Sequence, residues 1–353
     1  MNRVEQAGKE SATRSVVGVM EQIAVRVGCS KSTVSRVLSG RGKNFSVRPV
    51  LEQKILKIAR ELDYQPNPFL QSMRNQDSRI IAVFDPVLGH YPMIALAKGG
   101  FVDAVRDRGY IVTGSYVRIY RLHEYTVPFP IIGSLLFDIS DHSFLSFFEK
   151  KGIPYLVVNG ICLENGMAIQ IDEEVNAAQL ISHLVEFGHR KIAYFSAHPD
   201  HGTPGQHYSG FLRQQNFNEE LRRNGLELPD GDGDAIHSPP AFLRHHVLKC
   251  GVTAVVCYNY VRVQQIMHAA WELGVKVPEQ LSIVCFDDDG SIERMTPPVT
   301  CCAFSAYDIG LEAGRLLLAR LGGDLSLAGQ VHKVPGKLIC RQSVARIDSG
   351  RKH

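Results

Sequence analysis

Ser30-Lys31-Ser32-Thr33-Val34-Ser35-Arg36-Val37-Leu38-Ser39 combines an apolar stripe with a polar, basic face at helical spacing. Val34, Val37 and Leu38 fall at i, i+3 and i+4, so they form the stripe a helix would bury. Lys31, Ser32, Ser35 and Arg36 then point away from it. Ser30 is placed as an N-cap, where its hydroxyl accepts from an otherwise unpaired N–H of the first turn. Short hydroxyls beside an arginine suit the major groove, where Arg bonds guanine bidentately and Ser or Thr approaches either base type.

Working outward, Met20-Glu21-Gln22-Ile23-Ala24-Val25-Arg26-Val27 predicts a short helix with Met20, Ile23, Ala24 and Val27 on one side. Gly28-Cys29 supplies the turn, and Ala24 lets two backbones approach closely, which is the helix-turn-helix pattern. An ordinary αα-hairpin satisfies the same residues. Residues 40–45 form a basic loop, in which Arg41 and Asn44 suit phosphate contacts. Pro49 opens a third helix, and Arg48 stands where a capping Ser or Thr would be stronger.

The stretches Ile23-Ala24, Val27-Gly28, Ser30 to Leu38, Ala59-Arg60-Glu61-Leu62 and Tyr64-Gln65-Pro66-Asn67 resemble the lactose-repressor (LacI/GalR) family of bacterial transcription regulators. The resemblance continues, more loosely, to about residue 345. It implies that residues 66–76 are a hinge helix formed on operator DNA, with Met73 as the apolar wedge in the minor groove and Ser72 and Arg74 beside it. The expected DNA-binding set is therefore Ser30, Lys31, Ser32, Thr33, Ser35, Arg36, Arg41, Asn44, Ser72, Met73 and Arg74.

At 353 residues with 44% apolar side chains, the chain has material for two or three domains. The net charge of +3 conceals an asymmetry. Residues 1–76 hold 13 Lys and Arg against 6 Asp and Glu, leaving the remainder at 26 against 30. A basic head on a mildly acidic body directs the head toward a polyanion, although a solvated charged surface has the same composition. Residues 1–17 are polar and aperiodic, expected to be a disordered tail, and 346–353 form a short tail without a heptad run. Nothing approaches the roughly 18–20 apolar residues of a membrane span, and the N-terminus lacks the apolar core of a secretory signal, so no membrane association and a cytoplasmic location are expected. The 8 cysteines include no C-x-x-C pair and read as buried small hydrophobes; adjacent Cys301 and Cys302 leave a redox role open. His198, His201 and His207 lack the spacing of a zinc site, so neither metal nor cofactor is expected.

From Arg79 onward the texture becomes alternating strands and helices. Strands are expected at 80–84, 110–112, 131–137 and 155–158, with helices over 95–108 and 144–150. The series restarts with helices over 176–187, 211–224 and 263–273 and strands at 191–195, 252–257 and 281–286. Such β-α-β order predicts parallel sheets covered on both faces, in two lobes. The resemblance, visible again in Gly188-His189-Arg190-Lys191-Ile192-Ala193, Val277-Pro278-Glu279 and Phe286-Asp287-Asp288, implies a periplasmic-binding-protein-like core of two doubly wound lobes. It places lobe 1 at 79–171 and 302–328 and lobe 2 at 172–300 and 329–345, with the helix over 306–321 returning to lobe 1. The fold class expected is thus an all-α helix-turn-helix head over 18–65 joined to a two-lobed α/β core over 77–345.

Ligands of open α/β sheets bind at the carboxyl ends of strands. Asp85, Asn159, Asn259 and Asp287 follow strands, and each also suits a helix cap. With Tyr91, His207 and Tyr260 they make the expected effector-binding set. The family's sugar binders usually carry R-x-x-G-aromatic where this chain has His207-Tyr208-Ser209-Gly210-Phe211, and Asn-Asp where it has Asn259-Tyr260. The missing Arg and Asp would remove two groups suited to hydroxyl-rich or anionic ligands, and imply a pocket rebuilt around His207 and Tyr260. The segment 110–131 is also short for the family's usual helix.

The functional expectation is a sequence-specific DNA-binding regulator, most simply a repressor, acting as a homodimer on a near-palindromic operator under control of a small molecule such as a sugar. A regulator without an effector is the nearest alternative. A transport-class solute-binding protein shares the core but has no use for a basic head. An enzyme is disfavoured because the chain has no G-x-S-x-G elbow, P-loop or post-strand G-x-G-x-x-G.

Overall fold

A computed structural model describes residues 18–38, 47–64, 78–85, 92–116, 130–196, 207–228 and 238–347. The expectations at Arg41, Asn44, Ser72, Met73, Arg74 and Tyr91, and those for the hinge and both tails up to residue 17 and from 348, lie outside the described residues. Contacts divide the chain into a head, Met1–Ser78, and a core, Arg79–His353.

In the head, α1 (Val19–Val27), α2 (Lys31–Leu38) and α3 (Pro49–Glu61) bury one cluster formed by Ile23, Ala24, Val27, Val34, Ile55 and Ala59. Gly28 ends α1 in the left-handed region at φ 78°, where a side chain would be strained, and its N–H donates to the Ala24 carbonyl at 2.9 Å. Val37 and Leu38 are half-buried against the cluster, as their spacing requires. Pro49 begins α3 and Arg48 makes no capping bond.

The core holds two sheets. The first runs β10-β5-β4-β3-β1-β2, built from β1 (Ile80–Asp85), β2 (Ile111–Tyr116), β3 (Gly133–Phe137), β4 (Tyr155–Val158), β5 (Met167–Ile171) and β10 (Val331–Val334), all parallel. The second runs β11-β9-β8-β7-β6, from β6 (Ile192–Phe195), β7 (Ala254–Cys257), β8 (Ser282–Cys285), β9 (Thr300–Ala303) and β11 (Lys337–Ile339); only β11 is antiparallel. Helices cover them: α4 (Pro92–Arg106) and α5 (His142–Lys151) on the first, α6 (Glu173–Glu186), α7 (Tyr208–Arg223) and α8 (Tyr260–Leu273) on the second. A short turn of helix, Pro239–Phe242, runs directly into a π-helix, Leu243–Lys249. Both faces of the central strands are buried, which is why β1, β3, β4, β7 and β8 read as continuous apolar runs.

The last long helix, α9 (Ala306–Leu321), returns to lobe 1 and lies against α4. Glycine makes this approach possible: a Cβ on Gly310 would sit 1.9 Å from the Ala97 carbonyl oxygen, and one on Gly100 would sit 2.1 Å from that of Tyr307. Two corrections to the lobe boundaries follow from the sheets. Thr300–Ala303 belongs to the second sheet, so the chain crosses after 303, and Val331–Val334 pairs with β5 in the first, so the last crossing follows 334 and not 329. Asn176 stands at that last crossing, its Oδ1 accepting from Gly336 N at 2.8 Å. Strands β5, β9, β10 and β11 and the π-helix had no sequence expectation, because strands of 3–5 residues carry too little periodicity to declare themselves.

Candidate functional sites

On the head, α2 presents Lys31, Ser32 and Arg36 at the exposed surface, with Thr33 and Ser35 half-buried. The Ser30 hydroxyl accepts from Thr33 N at 3.1 Å and lies 2.8 Å from both Ser32 Oγ and Thr33 Oγ1. Ser30 therefore acts first as the cap that starts the helix. Lys31 Nζ lies 3.8 Å from Glu21 across the turn, an exposed pair of small energetic weight.

In the core, a cleft of about 410 Å³ opens at the carboxyl ends of both sheets. Its walls differ in kind. Lobe 1 contributes Met93, Ile94, Phe137, Ile139 and Ile309, and the returning chain adds Phe304. Lobe 2 contributes His207, Ser209, Arg213, Asn259, Tyr260 and Asp287.

The polar centre begins at two strand ends. Asp138 follows β3 at φ 53° and Asn159 follows β4 at φ 58°, left-handed conformations that Asp and Asn tolerate best among residues with a Cβ. Asn159 Nδ2 donates to Asp138 Oδ1 at 2.6 Å. From lobe 2, His207 caps α7: Ser209 N donates to His207 Nδ1 at 3.3 Å. Its Nε2 lies 2.6 Å from the Asn159 carbonyl oxygen and 3.6 Å from Asp138 Oδ1. A carbonyl only accepts, so Nε2 carries the proton and Nδ1 is free to accept at the cap. Tyr208 Oη adds a second cross-lobe bond, donating to Asn159 Oδ1 at 3.1 Å.

Behind this lies a buried ionic group. Arg213 is 5% exposed; its Nε donates to Glu173 Oε1 at 2.8 Å and its Nη1 to the Tyr258 carbonyl at 2.6 Å and Asp287 Oδ2 at 3.2 Å. Its guanidinium lies over the rings of Tyr258 and Phe286 at 4.9 and 5.4 Å. Burial pushes the Glu173 and Asp287 carboxyls upward, with Arg213 opposing it. For Arg213 burial disfavours charge, and the two carboxylates overcome that and keep it charged. Asp287 Oδ1 also accepts from Tyr260 N at 2.9 Å, which ties the start of α8 to the end of β8.

Of the expected effector residues, Asn159, His207, Asn259, Tyr260 and Asp287 line the cleft. Asn259 is at the same time the N-cap of α8, its Oδ1 accepting from Arg262 N at 3.1 Å. Asp85 does not line the described cleft. It is buried at the end of β1, where Lys98 Nζ neutralises its carboxylate, so the strand-end position serves an internal ion pair. His207 stands in the cleft where the resembled sugar binders carry Arg, and the guanidinium of Arg213, further along α7, is already paired with Glu173 and Asp287. Asp138, Ser209, Arg213 and Tyr258 had no sequence expectation. Asp138 obeys the strand-end rule as well as Asn159 does, and Arg213 sits on the buried stripe Ser209, Arg213, Phe217 and Leu221, where a lone charge requires a partner.

Among the described residues no cluster of three or more His, Cys, Asp or Glu is arranged to hold a metal ion, and no helix is long and apolar enough to cross a membrane.

A helix-turn-helix head joined to a two-lobed α/β core with a cleft defines a class, the DNA-binding regulators built on a periplasmic-binding-protein-like body. Residues 19–67 match the model for bacterial regulatory proteins of the lacI family, and residues 181–344 match the periplasmic binding protein-like domain. The chain thus carries a lacI-family helix-turn-helix domain and a periplasmic-binding-protein-like domain. It is 29% identical to the HTH-type transcriptional repressor CytR of Escherichia coli strain K12 over 323 residues, covering 88% of this chain and 92% of CytR. Among solved structures it is similar to the lac repressor dimer bound to operator and the anti-inducer ONPF, with a TM-score of 0.73, 22% identity and coverage of 93% of this chain and 99% of that one. It is likewise similar to the complex of the transcriptional regulator CelR with cellobiose, with a TM-score of 0.64, 23% identity and coverage of 92% and 99%.

Proposed function

We propose that this protein is a transcriptional repressor that binds a near-palindromic operator as a homodimer and is controlled by a small metabolite held in the core cleft. The observation that carries the reading is the union, in one chain, of an exposed basic helix and a cleft whose polar centre is assembled from both lobes. Lys31 and Arg36 supply phosphate and base contacts, and Ser32 and Ser35 the adaptable hydrogen bonds. In the cleft, a ligand touching Asp138 and Asn159 from one lobe and His207 and Asp287 from the other makes different contacts when the lobes move. Only such a difference in affinity between two states shifts a population. The names of the relatives support the reading: CytR is a repressor, and the similar solved structures hold operator DNA or a sugar. A cytoplasmic location follows from a DNA partner.

Selection of bound duplexes from a random pool, with and without candidate metabolites, tests this directly. The expected result is a symmetric half-site pair whose recovery changes with one class of metabolite. Equal recovery of scrambled competitor at moderate salt refutes operator recognition.

A further inference from the structure

The cleft walls allow the ligand's chemistry to be narrowed. Lobe 1 is apolar over most of its contribution, and the ring of Phe137 and the side chains of Met93, Ile139 and Ile309 offer no hydrogen bond. The described charged lining residues are four carboxylates, Asp138, Asp141, Asp287 and Asp289, against the single guanidinium of Arg213. That guanidinium is already matched, since Glu173 takes its Nε and Asp287 its Nη1. Among the described residues the lining therefore carries a surplus of negative charge, and the one guanidinium among them is committed within the protein.

The carboxylates are not equivalent. Asp141 Oδ1 caps α5 by accepting from Phe144 N at 2.8 Å, and Asp289 Oδ1 accepts from Ser291 N at 2.9 Å, so both close local turns. Asp287 is shared between Arg213 and Tyr260 N. Asp138 differs. Its Oδ1 accepts from Asn159, while its Oδ2 has no hydrogen-bond partner among the described residues, and the nearest imidazole nitrogen, His207 Nε2, lies 3.6 Å from Oδ1 and 2.6 Å from the Asn159 carbonyl oxygen. The Asp138 side chain retains 20% exposure on the cleft surface. Its left-handed backbone, φ 53°, fixes where that carboxylate stands.

We propose that the effector is a cyclic amine of the amino-sugar kind, its protonated nitrogen donating to Asp138 Oδ2 and the apolar face of its ring lying on the lobe 1 wall, and that the cleft excludes phosphates and carboxylates. This rests on the effector-binding reading above and goes beyond it. A protonated amine supplies both what the free oxygen lacks, a donor, and what the lining lacks, a positive charge. A phosphate or carboxylate brings a further anion against the lining carboxylates in a partly desolvated site.

The test is isothermal titration of the full-length protein with glucosamine, galactosamine and mannosamine, each paired with its parent hexose, and with glucose 6-phosphate and glucuronate as anionic members. At least one amine binds about tenfold more tightly than its parent hexose, and both anions show no heat. Asp138→Asn, which tolerates the same backbone, brings the amine and its hexose to within about threefold at an unchanged melting temperature. Binding of either anion, a hexose that equals or exceeds its amine, or failure of all three amines overturns the proposal. Operator binding measured with and without small-molecule cell extract separates the two ideas. A response to extract with these probe results sinks only the amine assignment, whereas indifference to extract sinks effector control itself.

Discussion

His207 Nε2 lies 2.6 Å from the main-chain carbonyl oxygen of Asn159, a hydrogen bond that runs from the N-cap of a lobe 2 helix to a strand end in lobe 1. Because Nδ1 of the same ring accepts at the cap, one imidazole both starts α7 and joins the lobes. His207→Ala removes both bonds. A loss of about 1–2 kcal/mol in urea unfolding is expected, together with a larger radius of gyration by small-angle scattering as the cleft opens. An unchanged radius would show that the lobes are held by other contacts.

Arg213 neutralises two buried carboxylates, so its removal leaves charge stranded in the core. Arg213→Met is expected to destabilise the protein by about 3–5 kcal/mol. Glu173→Gln added to it recovers part of that loss, because one of the two stranded charges is gone. Denaturant titration of both variants reads the difference; equal stability of single and double variants would contradict the coupling.

Three histidines hold their pKa values below the ordinary range because burial disfavours the imidazolium: His183, His246 and His189, the last brought down to about 4. His189 is held neutral between Thr253 Oγ1 at 2.9 Å and the Ala345 carbonyl at 3.1 Å. The folded state then binds fewer protons than the unfolded chain between the free histidine value, about 6.5, and the depressed one. Stability is thus fully present above about pH 6.5 and falls as the pH is lowered toward 4. His189→Gln flattens this fall in melting temperature against pH; a slope identical to the parent protein would assign it elsewhere.

On α2, the proposed function assigns Arg36 a base contact and Lys31 a phosphate contact, and the two are separable by experiment. Arg36→Ala is expected to cost about 1–3 kcal/mol and to relax preference at one base position. Lys31→Ala weakens all sequences alike and lowers the slope of log affinity against log salt by about 1. Binding isotherms at several salt concentrations distinguish these outcomes, and identical salt slopes for parent and Lys31→Ala would remove the phosphate assignment.

The pair α4 and α9 carries an internal control. Gly310→Ala drives a methyl to within 1.9 Å of the Ala97 carbonyl, so the helices must separate, at a cost of about 1–3 kcal/mol. Gly99→Ala, on the exposed side of α4 with nothing within 4 Å, gains up to about 1 kcal/mol of helix propensity. Thermal melts of both variants give opposite signs if the close approach is real.

Much of this architecture was legible in the chain itself. Helix α9 spans the 306–321 of the sequence expectation, and Val34 and Ile23 are buried as their spacing required, because a long amphipathic period repeats its message over several turns. The strand-end rule brought Asn159, Asn259 and Asp287 to the cleft but misplaced Asp85, since the rule cannot see Lys98 arriving from the next helix. Local periodicity thus determined the element types, the basic head and the two-lobed plan. Tertiary structure alone decided that Val331–Val334 joins the first sheet, that Arg213 is consumed by Glu173 and Asp287, and that Asn159 reaches Asp138 across two strand ends. The reason is physical: periodicity is carried by neighbours in the chain, whereas charge compensation and strand partnership are settled between residues that are distant in the chain and adjacent only in the fold.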